Sequence, residues 1–353
     1  MSKQKGFTLV EALIVTTMML VTMGVIYSMI LYFRDVTGTE QARVRQVQES
    51  RFLLSSFSNS MKNAGAVLTM THSGSFLGAE TYFNGIFPLN NNAFPDGVIL
   101  ASGDPGAATR LMSAVVPRDD ATLQVENITA TPAWAAGDLG IIISSDGYYV
   151  FRVASVGTNI VMDASSAVYY SGLLSTTNYD DPSATAGNAI EYPVNAPVVR
   201  LDDFGIFLVR EFYDFDAGRM RRQLLRVSDC RGDADVLATS SPAEKSLIAD
   251  NIWDMQFVYS SYPNFPDVSG KIDYFKKGSA AVLIDLLADM RSRTFKEVAL
   301  TVVALTDDYP GKGSAEYTIP IIGDEDSYVI PPGKFNYRIH SLLIQPMNFG
   351  ISI

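Results

Sequence analysis

The chain is poor in side chains that make and break bonds. Its 353 residues include two histidines, His72 and His340, and one cysteine, Cys230. A Ser-His-Asp arrangement would have to recruit one of two histidines far apart in sequence. A lone cysteine supplies neither an intrachain disulfide nor a cysteine zinc site. No G-x-S-x-G, H-E-x-x-H, G-x-x-x-x-G-K-[ST] or G-x-G-x-x-G string occurs. The expectation is a non-enzymatic chain without a cofactor. Asp-x-Asp strings at Asp214 and Asp216, at Asp233 and Asp235, and at Asp324 and Asp326 are the calcium candidates. None has EF-hand spacing, so each reads first as a turn. Cys230, between Asp229 and Arg231, reads as a sheltered thiol, with an intermolecular bridge as the alternative.

One carboxylate stands out by its setting. From Phe7 to Phe33 the chain reads FTLVEALIVTTMMLVTMGVIYSMILYF, 27 residues with a single charge at Glu11. As a helix this run spans about 40 Å, against a hydrocarbon core of about 30 Å. It is too long for the apolar region of a secretory signal, and no small-x-small cleavage site precedes Arg34. Lys3 and Lys5 lie before the run, while Arg34 and Asp35 cancel after it, so the positive-inside rule keeps the N-terminus cytoplasmic and sends the rest outward. A carboxylate at the centre of such a helix costs about 2.5–3.5 kcal/mol. Either Glu11 lies close enough to the helix start to reach the headgroup zone, or it has a function inside the apolar phase.

The remaining elements must position whatever this anchor carries. Residues 34–66 keep a helical rhythm, with Val44, Val47, Leu54, Phe57 and Met61 on one stripe. One continuous helix from about residue 8 to residue 64 is expected, with Gly65 as its stop signal. It contains no proline, which leaves Gly24 and Gly38 as its soft points. Arg43, Arg45 and Arg51 read as a solvated face. Beyond Ala66 the pattern changes to period two with turn residues, as in antiparallel sheet. Leu139 to Ser145 and Tyr148 to Ser155 flank Asp146-Gly147 as a hairpin, which Asn159 to Asp163 would extend. A second hairpin runs from Gly205 to Phe215 and from Arg219 to Ser228. Strands are also expected at Ile252 to Ser260, Glu297 to Leu305, Glu316 to Ile322 and Tyr337 to Leu343, with a short helix at Ala280 to Arg291. Glycine, proline, asparagine and serine mark 67–138 and 169–197 as long inserted loops or a second lobe.

The net charge of −11 becomes −12 for everything after Phe33, because Lys3, Lys5 and Glu11 all lie earlier. So acidic a body is a poor general binder of nucleic acid. Its basic exception is GRMRRQLLR, where alternation puts Arg219 and Arg221 on one face and Arg222 and Arg226 on the other. These arginines read first as partners of Asp202, Asp203, Asp214 and Asp216, with a DNA-binding or partner patch as the alternative. Tyr148, Tyr149, Tyr169 and Tyr170 read as sheet material.

Lys5-Gly6-Phe7-Thr8-Leu9-Val10-Glu11, followed by an unbroken apolar helix, resembles the class III signal of type IV prepilins. NIWDMQFVYSSYPNF after the lead EKSLIAD, then FKEVALTVVAL and FNYRIHSLLIQPMNFG, resemble PilW-type minor pilins and the related J-type pseudopilins, as does RQVQESRFLLSSFSNSMKNAG. The resemblance implies an α+β pilin fold, a long N-terminal helix on an enlarged antiparallel β-rich head. Its parts would be a leader at 1–6, a membrane and filament-core helix at 7–33, its amphipathic half at 34–66 and an outward head at 67–353. It also implies cleavage between Gly6 and Phe7 by prepilin peptidase and methylation of the new N-terminus at Phe7. Glu11 would then pair with a neighbour's terminal amine in the filament core. The implied partners are other minor pilins, the major pilin and the inner-membrane assembly platform. The implied place is the inner membrane with the head periplasmic, then a pilus at the cell surface. A type II secretion pseudopilin, or a surface adhesin or enzyme on a pilin-like anchor, are the alternatives.

Overall fold

The computed structural model describes residues 8–65, 85–89, 95–117, 119–126, 134–144, 148–163, 190–215, 219–229, 244–264, 269–275, 295–305, 317–319, 328–330 and 337–346. Helix α1 (Leu9–Asn63) is unbroken over 55 residues and passes through both Gly24 and Gly38. Its apolar first half is solvent-exposed, and its second half is the spine of the head. The buried stripe is Gln46, Ser50, Leu53, Phe57 and Met61. The expected stripe departs at its start, where Val44 is 53% exposed and burial begins two positions later, at Gln46. Gln46 takes the buried place because its side-chain amide donates to the Ala304 carbonyl at 3.0 Å, which satisfies a polar group that would otherwise be stranded.

Fifteen strands follow among the described residues: β1 (Ile86–Leu89), β2 (Gly97–Arg110), β3 (Thr122–Leu123), β4 (Leu139–Ile143), β5 (Tyr148–Val156), β6 (Ile160–Met162), β7 (Pro197–Asp214), β8 (Arg219–Asp229), β9 (Glu244–Asp250), β10 (Ile252–Ser261), β11 (Ile272–Tyr274), β12 (Phe295–Leu305), β13 (Tyr317–Ile319), β14 (Tyr328–Ile330) and β15 (Tyr337–Ile344). The main sheet runs β1-β2-β7-β4-β5-β6-β3, with β8 and then β9 extending from β7. A second sheet runs β11-β10-β12-β15, and β13 pairs with β14. All pairings are antiparallel. Both expected hairpins form, and β6 extends the first as a meander.

Three expectations need correction. The stretch 67–138 holds β1, β2 and β3 rather than loops alone, and β2 is a fourteen-residue strand inside the main sheet. Asp104-Pro105-Gly106 made it look like a turn. The ladder takes these residues up as a register shift between Gly103 and Ala108 and pairs with β7 on both sides of it. The lead EKSLIAD is itself strand β9. Strand β7 begins at Pro197, eight residues before the expected Gly205, because Asp202 and Asp203 masked an otherwise apolar run. The expected helix at Ala280 to Arg291, and residues 169–189 of the second stretch, lie outside the described residues, while Tyr192 of its described end pairs with Val115.

Two cores result. One lies among β4, β5, β6 and one face of β2 and β7, and it includes Trp134 stacked on Phe151 at 6.2 Å. The other joins α1 to both sheets. There Phe57 meets Phe207 of β7 at 4.6 Å and Phe257 of β10 at 6.1 Å. The helix is closed off by Gly65, whose φ of 75° is left-handed and whose N–H donates to the Ala101 carbonyl at 2.8 Å. Gly85 completes this clasp, its carbonyl accepting from the Ala101 N–H at 2.7 Å. A Cβ on Gly85 would stand 2.2 Å from the Ala101 oxygen and 2.3 Å from the Gly65 nitrogen, at a φ of 66°. Gly85→Ala should therefore cost about 3 kcal/mol through strain and overlap. A midpoint in chemical denaturation that stays within 0.5 kcal/mol of wild type, to the order of ordinary surface changes, would contradict this clasp.

At the far end of the second sheet, Tyr262 donates to Glu297 at 2.7 Å and Ser260 to Asp273 at 2.7 Å, and Lys271 lies 3.3 Å from Asp273. These bonds fasten β10, β11 and β12 together. On β15, partial burial and then the Arg338 charge hold the His340 imidazole below its ordinary value. The unfolded chain therefore binds this proton before the folded one does, so His340 favours the fold above the ordinary imidazole pKa and loses that contribution as pH falls through the folded value. His340→Gln should flatten the acid side of a stability-versus-pH curve in that window and leave pH 8 unchanged.

Candidate assembly site at the start of the helix

Thr8 and Glu11 form a reciprocal cap at the mouth of α1. The Glu11 N–H donates to the Thr8 hydroxyl oxygen at 3.3 Å. In return Glu11 Oε2 accepts from the Thr8 N–H at 3.0 Å and from the Thr8 hydroxyl at 2.9 Å. The local sequence dictates this: a threonine three residues before a glutamate, ahead of an apolar run, satisfies two of the helix's orphan donors. Both bonds fall on one oxygen. Oε1 has no partner among the described residues, so the carboxylate is fixed in place with one oxygen available to an outside donor. No other charge stands between Thr8 and Phe33, and the run around Glu11 is exposed on every side, with Leu9 85%, Val10 65% and Leu13 64% accessible. Such a surface does not stay in water. Helix α1 is long and apolar enough to cross a membrane.

In an apolar phase the arrangement does one thing well. A fixed carboxylate with an open oxygen attracts a cationic N–H donor, and in a low-dielectric setting leaving either charge alone is costly. Thr8 was missed as a site residue, although the T-x-x-E spacing is its sequence signal. Gly6 and Phe7 lie outside the described residues.

The other sequence candidates do not gather into a site. Arg221 pairs with Asp214 at 2.7 Å, Arg222 with Glu211 at 3.4 Å, and Arg226 with Asp203. Arg222 also donates to the Trp253 carbonyl at 2.6 Å and lies 4.9 Å over its ring. The arginines of β8 thus tie the two strands of the hairpin together, Arg222 also ties it to β10, and the Arg219 side chain lies outside the described residues. Asp214 faces Arg221 rather than a second carboxylate; Asp216, Asp233, Asp235, Asp324, Asp326, His72 and Cys230 lie outside the described residues. Tyr148 and Tyr149 are buried in the first core. On the helix, Arg43 pairs with Glu40 and Arg45 with Glu49.

A long exposed apolar helix that becomes the spine of an antiparallel β-rich head is an α+β, pilin-like architecture. Residues 1–27 match the family model described as a prokaryotic N-terminal methylation motif. This motif indicates a type IV pilin-like or pseudopilin protein, and it implies processing by prepilin peptidase and association with the membrane. No curated protein and no solved structure matches the chain.

Proposed function

We propose that the chain is a minor pilin of the PilW type, cut between Gly6 and Phe7, methylated at Phe7, and assembled with other minor pilins into a complex that primes a type IV pilus and ends at its tip. The observation that carries this reading is the Glu11 carboxylate, held by Thr8 on one oxygen and open on the other, next to a methylation motif in a membrane helix. Cleavage removes Lys3 and Lys5 and creates an amine four residues before Glu11. A neighbour's amine reaching Oε1 neutralises both charges. A subunit displaced by one helical turn, about 5.4 Å, loses the pair, which makes Glu11 a register device. The size of the head favours a few copies over a filament built only of this chain. The mature subunit waits in the inner membrane with its head outside.

The experiment is Glu11→Ala in the native filament system, with processing and incorporation measured separately. Thr8 still caps the helix through its hydroxyl, so the variant should be cut normally and accumulate in the membrane. Its amount in the sheared filament fraction should fall at least about tenfold, as expected for loss of 1.4 kcal/mol or more. Recovery at the wild-type level would refute the assembly role.

A further inference from the structure

We propose that the apolar patch formed by Tyr213 and Phe215 at the end of β7 and Met220 at the start of β8 rests in the outer headgroup layer of the bilayer that holds α1, as a second contact between the head and the membrane. The proposal rests on the membrane-anchoring part of the reading above. Phe215 is 88% exposed, Tyr213 48% and Met220 52%. Tyr213 and Met220 are opposite one another in the ladder, and the Phe215 ring packs edge-on against Tyr213 at 5.1 Å. They form one apolar patch at the end of the longest strand.

The height of that patch follows from the ladders. The Gly65 N–H is bonded to Ala101, which pairs with Phe204. Phe57 packs on Phe207. Eight helical residues and three strand residues therefore cover nearly the same rise, about 12 and 10 Å. On the other sheet, Phe57 packs on Phe257, and Gln46 bonds to Ala304, which pairs with Ile252. Eleven helical residues match five strand residues at about 16 Å each. The strands thus run along α1, and β7 descends as the helix is followed back toward its start. Arg222, opposite Glu211, reaches the Trp253 carbonyl at the level both ladders require.

Phe215 lies eight residues below Phe207, about 26 Å of strand, which is the height of about Glu40 on the helix. Phe33, the last residue of the apolar run, is about 10 Å further down. The run is longer than the hydrocarbon core, so an anchored helix tilts, and the 22-residue rise from Glu11 to Phe33, about 33 Å along the axis, then matches the core with Phe33 at its outer boundary. An average tilt of about 20° toward the hairpin lowers the patch by several Å. The ring of Phe215 then enters the headgroup layer, which is about 5–7 Å deep on each side.

Composition and area favour lipid over a second copy. Tyrosine, phenylalanine and methionine at the level of the headgroups have the amphipathic character of an interfacial belt. Among the described residues beside the patch, the acids Asp214 and Glu211 are already paired with Arg221 and Arg222, so they do not repel anionic lipid. Three partly exposed side chains present at most a few hundred Å², short of the roughly 800 Å² per partner that a stable protein interface buries.

The test uses the full chain with Cys230→Ser, reconstituted in nanodiscs of phosphatidylethanolamine and phosphatidylglycerol, and spin-labelled at Phe215→Cys. Labels at Leu20→Cys, in the apolar run, and at Phe52→Cys, exposed on the outer half of the helix, are the references. The Phe215 label should show a ratio of oxygen to nickel-complex accessibility several-fold above the Phe52 label and below the Leu20 label. Labelling at Met220→Cys keeps Phe215 and should repeat the result. Equality with Phe52 overturns the proposal, as does protection from both reagents, which would mean a protein contact. An aqueous reading at Leu20 would sink the anchoring itself, and the hairpin contact with it.

Discussion

Phe57→Ala should destabilise the head by about 3–5 kcal/mol, a large share of the 5–15 kcal/mol that holds a typical folded protein together. Phe57 is fully buried on α1, and its ring touches Phe207 of the main sheet and Phe257 of the second sheet. Removing it opens a cavity where helix, β7 and β10 meet. The sheets cannot close the gap, because Gln46 at the start of the buried half of the helix and Gly65 just past its end are hydrogen-bonded to β12 and β2. Thermal or denaturant unfolding of the full chain, followed through the signal of the β-rich head, measures the change. Phe57→Leu, which leaves a smaller void, should lose roughly half as much. A loss under 1 kcal/mol for the alanine variant would mean that α1 lies on the head without supporting it.

Gly6→Leu should abolish processing. The proposed cut falls at the junction between a charged leader and an apolar helix, where a glycine lets the backbone approach a protease closely and a branched side chain does not. The variant should stay at the mass of the full 353-residue chain, with Lys3 and Lys5 retained. The terminal amine would then sit among cytoplasmic charges instead of four residues before Glu11. Assembly should be lost with cleavage, so the Gly6 variant and Glu11→Ala should both be depleted from filaments at least about tenfold and differ in mass. A Gly6→Leu chain that is shortened normally would place the cut elsewhere.

Much of the architecture was legible because local patterns agreed with the fold. The apolar run, the missing proline and Gly65 define α1 almost to the residue, and Asp146-Gly147 and Asp216-Ala217-Gly218 announce two hairpins that form. Strand β2 was not legible. Its middle reads as a turn, and only pairing with β7 on both sides of the irregularity makes it a strand. Gln46 was hidden for a similar reason, since its burial depends on a carbonyl 258 residues away. At the candidate site, Glu11 was conspicuous as a charge in an apolar run. The role of Thr8 was written in its spacing to Glu11 but was overshadowed by the larger motif. The heights of Phe215 and Glu40 could be compared only after two ladders had fixed how the strands run along the helix.

The central claim is that residues 1–27 form a signal which is cut and methylated, so that Glu11 can meet a new amine. The most direct measurement is the intact mass and N-terminal peptide of the mature chain recovered from its native membrane. The account predicts a chain that begins at Phe7 and carries one methyl group on its amine. A chain that still begins at Met1, or one cut after Phe33, would contradict it.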